Sequence, residues 1–217
     1  PCSQIDLVQK YIGAGGRRPT LSTLGGKRWA KAKEQVTDAV SDLAESLLRI
    51  QAARAESFGT AYPADTEWQR EFEASFPYDE TEDQLTVAAS IRDDLTRARP
   101  MDRVVCGDVG YGKTELAMRA AFKVVEFGRQ VAVLVPTTVL AEQHYETFKE
   151  RMSDYPFSIG CLSRFRHAGE QKKILDAMKK GQLDLVIGTH RLLSKDVSFA
   201  DLGLVIIDEE QRFGVEH

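Results

Sequence analysis

The sequence has no apolar run long enough to span a membrane and no signal peptide, so a cytoplasmic protein is expected. Cysteine is scarce: Cys2, Cys106 and Cys161 are odd in number and lack metal-ligand spacing, which argues against a disulfide scaffold or a zinc module and for a reducing compartment. Cys106 closes a short apolar run and is expected to be a small core residue. No charge sign dominates: 29 basic and 33 acidic residues leave a net −4, which neither demands nor excludes a nucleic-acid partner. No internal repeat or low-complexity tract interrupts the chain. It opens without Met, ends just after an acidic motif, and reads as part of a longer protein.

Three regions are present. Residues 1–26 hold a short amphipathic piece, Gln4 to Ile12, and a glycine-rich loop. Residues 27–64 open with a segment free of Gly and Pro, in which Trp29, Val36, Val40, Leu43, Leu47 and Ile50 recur at spacings near three and four. About 30 residues at ~1.5 Å each make a rod of roughly 45 Å. A helix covering a core and a connector between domains both fit it. Residues 65–217 alternate apolar runs with helical segments. Strands are expected at Arg103–Cys106, Gln130–Val135, Phe157–Leu162, Leu183–Ile187 and Leu202–Ile207, with helices between them. Continuous apolar strands separated by helices imply an α/β fold, a parallel sheet covered on both faces.

"GDVGYGKT" supplies G-x-x-x-x-G-K-[ST], with Gly107, Gly112, Lys113 and Thr114 in the fixed places and Gly110 between them. A polyphosphate offers many negative charges and no apolar surface. Converging N–H groups at a helix start hold it, and glycines let the backbone close around it. Lys113 adds positive charge at the β/γ-phosphates, and the Thr114 hydroxyl suits Mg²⁺. The cofactors expected are therefore ATP and Mg²⁺.

"LGLVIIDEEQ" places Asp208 and Glu209 at the end of an apolar strand that is expected to be buried. Asp208 suits Mg²⁺ through its water shell, and Glu209 suits activation of the attacking water. Lys113, Asp208 and Glu209 are the expected catalytic set.

With these two motifs, "VLVPTTVLAEQH", "LSRFR" and "VIGTHRLL" resemble the motifs of superfamily 2 helicases and translocases. "FPYDETEDQ" resembles their adenine-recognition motif. "SRFR" and the long-helix segment make the chain similar to the bacterial transcription-repair coupling factors, and "IDLVQKYIG" resembles the tail of that family's RNA-polymerase-interacting domain.

The resemblance implies a RecA-like first motor lobe, incomplete here, in residues 65–217, preceded by a connector helix and linker (27–64) and the tail of the polymerase-interacting module (1–26). It implies Gln84 at the adenine edge, with Tyr78 or Phe76 against the ring. Thr137, Thr138, Arg164, Thr189 and Arg191 fall where the family contacts the DNA backbone. The partners implied are double-stranded DNA, RNA polymerase and, through domains absent from this chain, nucleotide-excision repair proteins. The activity implied is ATP-dependent translocation that displaces stalled RNA polymerase and couples transcription to repair. A second lobe and a third motif are missing, so the chain alone is expected to be inactive. A branch-migration helicase and a P-loop scaffold without DNA activity are the alternatives. Gln211 stands where related proteins often carry His.

Overall fold

The computed structural model describes Thr23 and residues 26–213. The expected amphipathic piece Gln4 to Ile12, its following loop and Cys2 lie outside the described residues.

Two units divide the chain, residues 1–54 and 55–217. The first holds all but the last two residues of α1 (Lys27–Glu56), which realises the long helix and whose described side chains include no buried residue. Val40, Leu43 and Leu47 are 60%, 61% and 55% exposed, so the apolar stripe lies open along the helix.

The second unit begins before residue 65 because Tyr62 is built into its core. Tyr62 Oη donates to the Gly203 carbonyl at 3.2 Å, and its ring meets Phe127 edge-on at 5.4 Å. Gly203 is required there, since a Cβ would stand 2.5 Å from that hydroxyl.

The elements that follow are α2 (Glu67–Ala74), α3 (Glu82–Thr96), α4 (Lys113–Glu126), β1 (Gln130–Leu134), α5 (Thr138–Arg151), β2 (Ile159–Leu162), α6 (Ala168–Lys179), β3 (Leu185–Gly188) and β4 (Leu202–Ile207). Short 3₁₀ turns occupy His190–Leu193 and Glu210–Arg212. Local chemistry starts the helices. Thr66, Thr81 and Thr137 each accept an N–H three residues on, and Thr81 with Gln84 completes a capping box.

The strands form one parallel sheet in the order β2–β3–β1–β4. Val131 pairs with Leu185 and Leu204, and Cys161 with Ile187, so alternate residues face opposite sides. One face carries Val131, Val133, Leu185 and Ile187 into a core with Phe72, Phe122 and Phe148 from α2, α4 and α5. The other sets Leu134, Leu162 and Val186 against Met178 of α6 and Leu192. Helices thus cover both faces of a RecA-like sheet. Gln130 fastens its lower end: its amide donates to the Met178 and Leu183 carbonyls and accepts from the N–H groups of Ala200 and Asp201.

Two expectations are corrected. Arg103–Cys106 forms no strand: Val104 is 72% exposed and Cys106 is exposed rather than a core residue. An apolar tetrapeptide becomes a strand only where a ladder partner meets its N–H and C=O groups. This one stands across a cleft from β4 and is tied to α3 by Arg103 and Asp94 at 2.6 Å. β4 is an edge strand and not a buried one. Leu204 and Ile206 pack on the core, while Val205 and Ile207 are about half exposed.

Candidate functional site

A parallel sheet brings every loop that follows a strand to one edge, which is where ligands of open α/β sheets bind. Here that edge collects Thr137 and Thr138 after β1, Arg164 after β2, Thr189 and Arg191 after β3, and Asp208 after β4.

The phosphate loop ends at Gly112, which caps α4 in the left-handed conformation at φ 74°, and Gly110 has φ 86°. Only glycine takes these angles without strain. Lys113 Nζ folds back over the loop, donating to the Gly107 carbonyl and, at 2.7 Å, to that of Asp108. A cleft of about 730 Å³ is lined by Gly107, Lys113 and Thr114 on one side and by Asp208, Glu209 and Gln211 on the other. The two sequence motifs therefore meet.

Among the described residues Glu209 is the sole non-glycine residue at positive φ, 55°. Such a conformation costs on the order of 1–3 kcal/mol and persists where its surroundings enforce it. The Glu209 carboxylate accepts from Gln211 Nε2 at 2.7 Å and faces Arg212 Nε at 3.5 Å. Gln211 thus holds the carboxylate of the expected base.

Thr114 and Asp208 offer a hydroxyl and a carboxylate, both hard oxygen donors. Among the described residues no group of three or more His, Cys, Asp or Glu could hold a metal ion. Magnesium needs no such cage, since it keeps several waters and takes most other ligands from substrate phosphates. The donor set fits Mg²⁺ carried in with a nucleotide.

Gln84 lies against the loop. Its Oε1 accepts from the Thr81 N–H at 2.8 Å, and its Nε2 donates to the Tyr111 carbonyl at 3.0 Å. Phe76 is half-buried, with the Arg119 guanidinium 5.4 Å from its ring centre. Tyr78 is 73% exposed and meets Phe76 at 5.5 Å.

The DNA candidates differ in accessibility. Arg164 is exposed, Thr138 is half-buried, and the Thr137 hydroxyl oxygen accepts the Leu140 N–H at 3.2 Å, which leaves its O–H to donate. Thr189 is buried, 3% exposed, just before the 3₁₀ turn. Arg191 is held in a two-pronged ion pair with Asp196 at 2.6 and 2.7 Å. Asp196 raises the Arg191 pKa above its ordinary value and is itself held below the usual carboxylate range by that bond.

Three relationships escape a reading of the sequence. His144 Nε2–H donates to Asp208 Oδ2 at 2.8 Å. Glu142 accepts from Ser163 Oγ at 3.1 Å and from Arg166 at 2.8 Å, which ties α5 to the "SRFR" loop. Behind the phosphate loop, Glu115 accepts from both Arg119 and Arg151 at 3.0 Å. Burial works against the Arg119 charge, but Glu115 and Glu80 outweigh it and hold its pKa above the ordinary value. The spacing of Glu115 and Arg119 was readable as a helical pair. The other partners come from distant elements and leave no local signal.

Comparison with known proteins identifies the family. A DEAD/DEAH box helicase model matches residues 81–217. The chain is 58% identical, over its full length, to the transcription-repair-coupling factor of Bacillus subtilis (strain 168) and spans 18% of that protein. It is 52% identical to the factor of the same name from Staphylococcus aureus (strain USA300), again over its full length, and spans 19% of it. The chain thus covers about a fifth of these relatives. Among solved structures, RecG bound to a three-way DNA junction aligns with 76% of the chain and 23% of RecG, at TM-score 0.71 and 38% identity. A hypothetical ATP-dependent RNA helicase from Sulfolobus tokodaii, 19% identical at TM-score 0.51 over 68% of this chain and 42% of its own, shares the fold. No described helix is long and apolar enough to cross a membrane. With phosphate loop and acidic pair facing one cleft of a RecA-like sheet, the chain belongs to the DEAD/DEAH box helicase family.

Proposed function

We propose that the chain is the nucleotide-binding part of the first motor lobe of an ATP-dependent double-stranded DNA translocase of the transcription-repair coupling kind. The observation that carries this reading is the single cleft joining Lys113 and Thr114 to Asp208 and Glu209.

In this reading the loop N–H groups and Lys113 Nζ bind the phosphates, and Lys113 gives up its contacts with Gly107 and Asp108 to do so. Thr114 and Asp208 hold Mg²⁺, which neutralises charge on the phosphate oxygens. Glu209, steadied by Gln211, orients a water and takes its proton. Gln84 serves the adenine edge while bracing the loop, and Phe76 and Tyr78 serve the ring.

A translocase must step past every sequence, so its grip falls on phosphates. Arg164, Thr137 and Thr138 are the accessible groups for that grip, while Thr189 is buried beneath the edge and Arg191 must leave Asp196 to join them. Identity to the coupling factors over the whole chain favours stalled RNA polymerase and excision-repair proteins as partners of the complete protein, through segments beyond this lobe. The cytoplasm follows from that role.

Calorimetry of Mg–ADP binding tests the reading. Lys113→Ala is expected to abolish the heat of binding, and equal affinities for the two proteins would overturn it.

A further inference from the structure

Helix α5 touches each part of the site. Its first turn holds Thr137 and Thr138 at the duplex edge. Two turns on, His144 Nε2–H donates to Asp208 Oδ2. At its last residue, Arg151 reaches Glu115, two positions beyond Lys113. Glu142 and Tyr145 hold Arg166 of the loop after β2, the carboxylate at 2.8 Å and the ring with the guanidinium 5.5 Å from its centre. The helix is a stiff rod: its hydrogen-bonded backbone rises ~1.5 Å per residue, so His144 stands roughly 9 Å along the axis from Thr138.

The imidazole is held from both sides. Its ring packs on Phe148, one turn on, at 6.2 Å, and Phe148 is 1% exposed in the core. His144 is itself 12% exposed in its side chain. The two oxygens of Asp208 are thereby divided: Oδ2 accepts from His144, and Oδ1 accepts from the Glu209 N–H at 3.0 Å. A free carboxylate would turn about its terminal bond. This one is fixed in plane by a donor from α5 and a donor from its own chain.

We propose that His144 is a positioning residue that ties Asp208 to α5, so that a duplex held at the first turn of α5 tightens the grip of the acidic pair on Mg–nucleotide. The coupling half rests on the DNA reading above; the positioning half does not. Asp208 is the carboxylate proposed to hold Mg²⁺ through its water shell, and His144 is the partner that aims it. Loss of such a partner typically lowers metal affinity 10–100-fold. Linkage is reciprocal, so nucleotide must tighten duplex by the same factor.

The test measures ADP affinity by calorimetry with and without Mg²⁺, and each with and without a saturating mixed-sequence duplex, for the 217-residue chain and two variants. In the wild type, Mg²⁺ strengthens ADP binding and duplex strengthens Mg–ADP binding further, by about fivefold or more. His144→Ala is expected to cut the Mg²⁺ enhancement roughly tenfold and to bring the duplex factor to one. Its affinity for metal-free ADP and for duplex alone stays at the wild-type value. His144→Gln keeps an N–H donor at a similar reach and restores both effects. A fully retained Mg²⁺ enhancement in His144→Ala overturns the positioning role. A retained duplex factor overturns the coupling. A wild type that binds no duplex sinks the DNA reading and the coupling with it, while the Mg²⁺ measurement still decides the positioning role. A His144→Gln protein that behaves as His144→Ala shows that the ring's packing, and not its donor, does the work, and overturns the proposal.

Discussion

Gln84 Nε2 donates to the carbonyl of Tyr111, so a side chain at the third position of α3 braces the phosphate loop. The contact is tight: a Cβ on Gly112 would stand 2.6 Å from that nitrogen. The amide still has a second N–H and a second lone pair, the donor and acceptor that an adenine edge needs. Gln84→Ala is therefore expected to weaken ATP binding more than GTP binding, and to weaken both by loosening the loop. It also removes the Gln84 half of the capping box and leaves the Thr81 N–H without that acceptor. Equal losses for the two nucleotides, measured by calorimetry, would confine Gln84 to the loop.

The chemistry of this site was legible where it depends on neighbours in sequence. Gly107, Gly112, Lys113 and Thr114 form one turn, and Asp208 and Glu209 follow one strand, so spacing alone fixed their roles as candidates. Apolar runs gave β1 and β3 because they are buried on both faces. Arg103–Cys106 looks the same in one dimension and is no strand, since pairing depends on an edge that the segment does not meet. The bond from His144 to Asp208 spans 64 positions, and that from Arg151 to Glu115 spans 36. No periodicity encodes such pairs. They follow only once α5 is packed on the sheet.

Glu115 is 5% exposed and is shared by two arginines, so its removal leaves the buried Arg119 paired with Glu80 alone and Arg151 held only by the Ser75 hydroxyl and the Phe72 carbonyl. Breaking a buried pair from one side costs about 3–5 kcal/mol when the remaining charge is uncompensated, so with these partners kept the expected loss is about 2–3 kcal/mol. Glu115→Ala is expected to lower the urea midpoint accordingly. A loss below about 1 kcal/mol would mean that water reaches the cluster.

The two apolar surfaces of the chain should respond oppositely to truncation. Phe72 is fully buried, stacks on Phe122 at 4.4 Å and lies under the Arg151 guanidinium at 4.0 Å. Phe72→Ala is expected to cost ~3–5 kcal/mol. Leu43 and Leu47 on α1 are more than half exposed, and their replacement by Ala should stay within about 0.5 kcal/mol. Chemical denaturation of the three variants separates these cases. A large loss from Leu43→Ala would show that the stripe is covered in solution.

The described cysteines differ in reactivity for physical reasons. Cys161 is 2% exposed, and burial together with the nearby Glu142 carboxylate pushes its thiol up to about 11. The thiolate is the nucleophile, so at pH 8 Cys161 is almost wholly protonated as well as shielded. Cys106 is exposed and lines the cleft beside the phosphate loop. Iodoacetamide at pH 8 followed by peptide mapping should label Cys106 and spare Cys161, and Mg–ADP should slow labelling of Cys106. Reactivity at Cys161 rises only as the pH approaches 11 or the fold opens. Labelling of both at equal rates would contradict the buried register of β2.

The proposed duplex edge yields a charge count that depends on one ion pair. Arg164 and Arg191 together suggest two displaced counterions and a log-affinity against log-salt slope of roughly −2, at about −0.9 per ion on duplex DNA. In the structure, however, Arg191 is held by Asp196 through two hydrogen bonds, so its charge is already matched. Arg164 is exposed and free to approach a phosphate. The slope attributable to these two arginines is therefore expected near −1. Arg164→Ala should flatten it by about one unit and weaken unrelated sequences alike. Asp196→Ala should steepen it by about one unit, because it releases the Arg191 guanidinium. Thr138→Ala should weaken binding without changing the slope, since a neutral hydroxyl releases no ion. Salt titrations of duplex binding on two unrelated sequences distinguish these outcomes. If Asp196→Ala leaves the slope unchanged, Arg191 does not reach the backbone even when freed, and the edge is gripped through Arg164 and the hydroxyls.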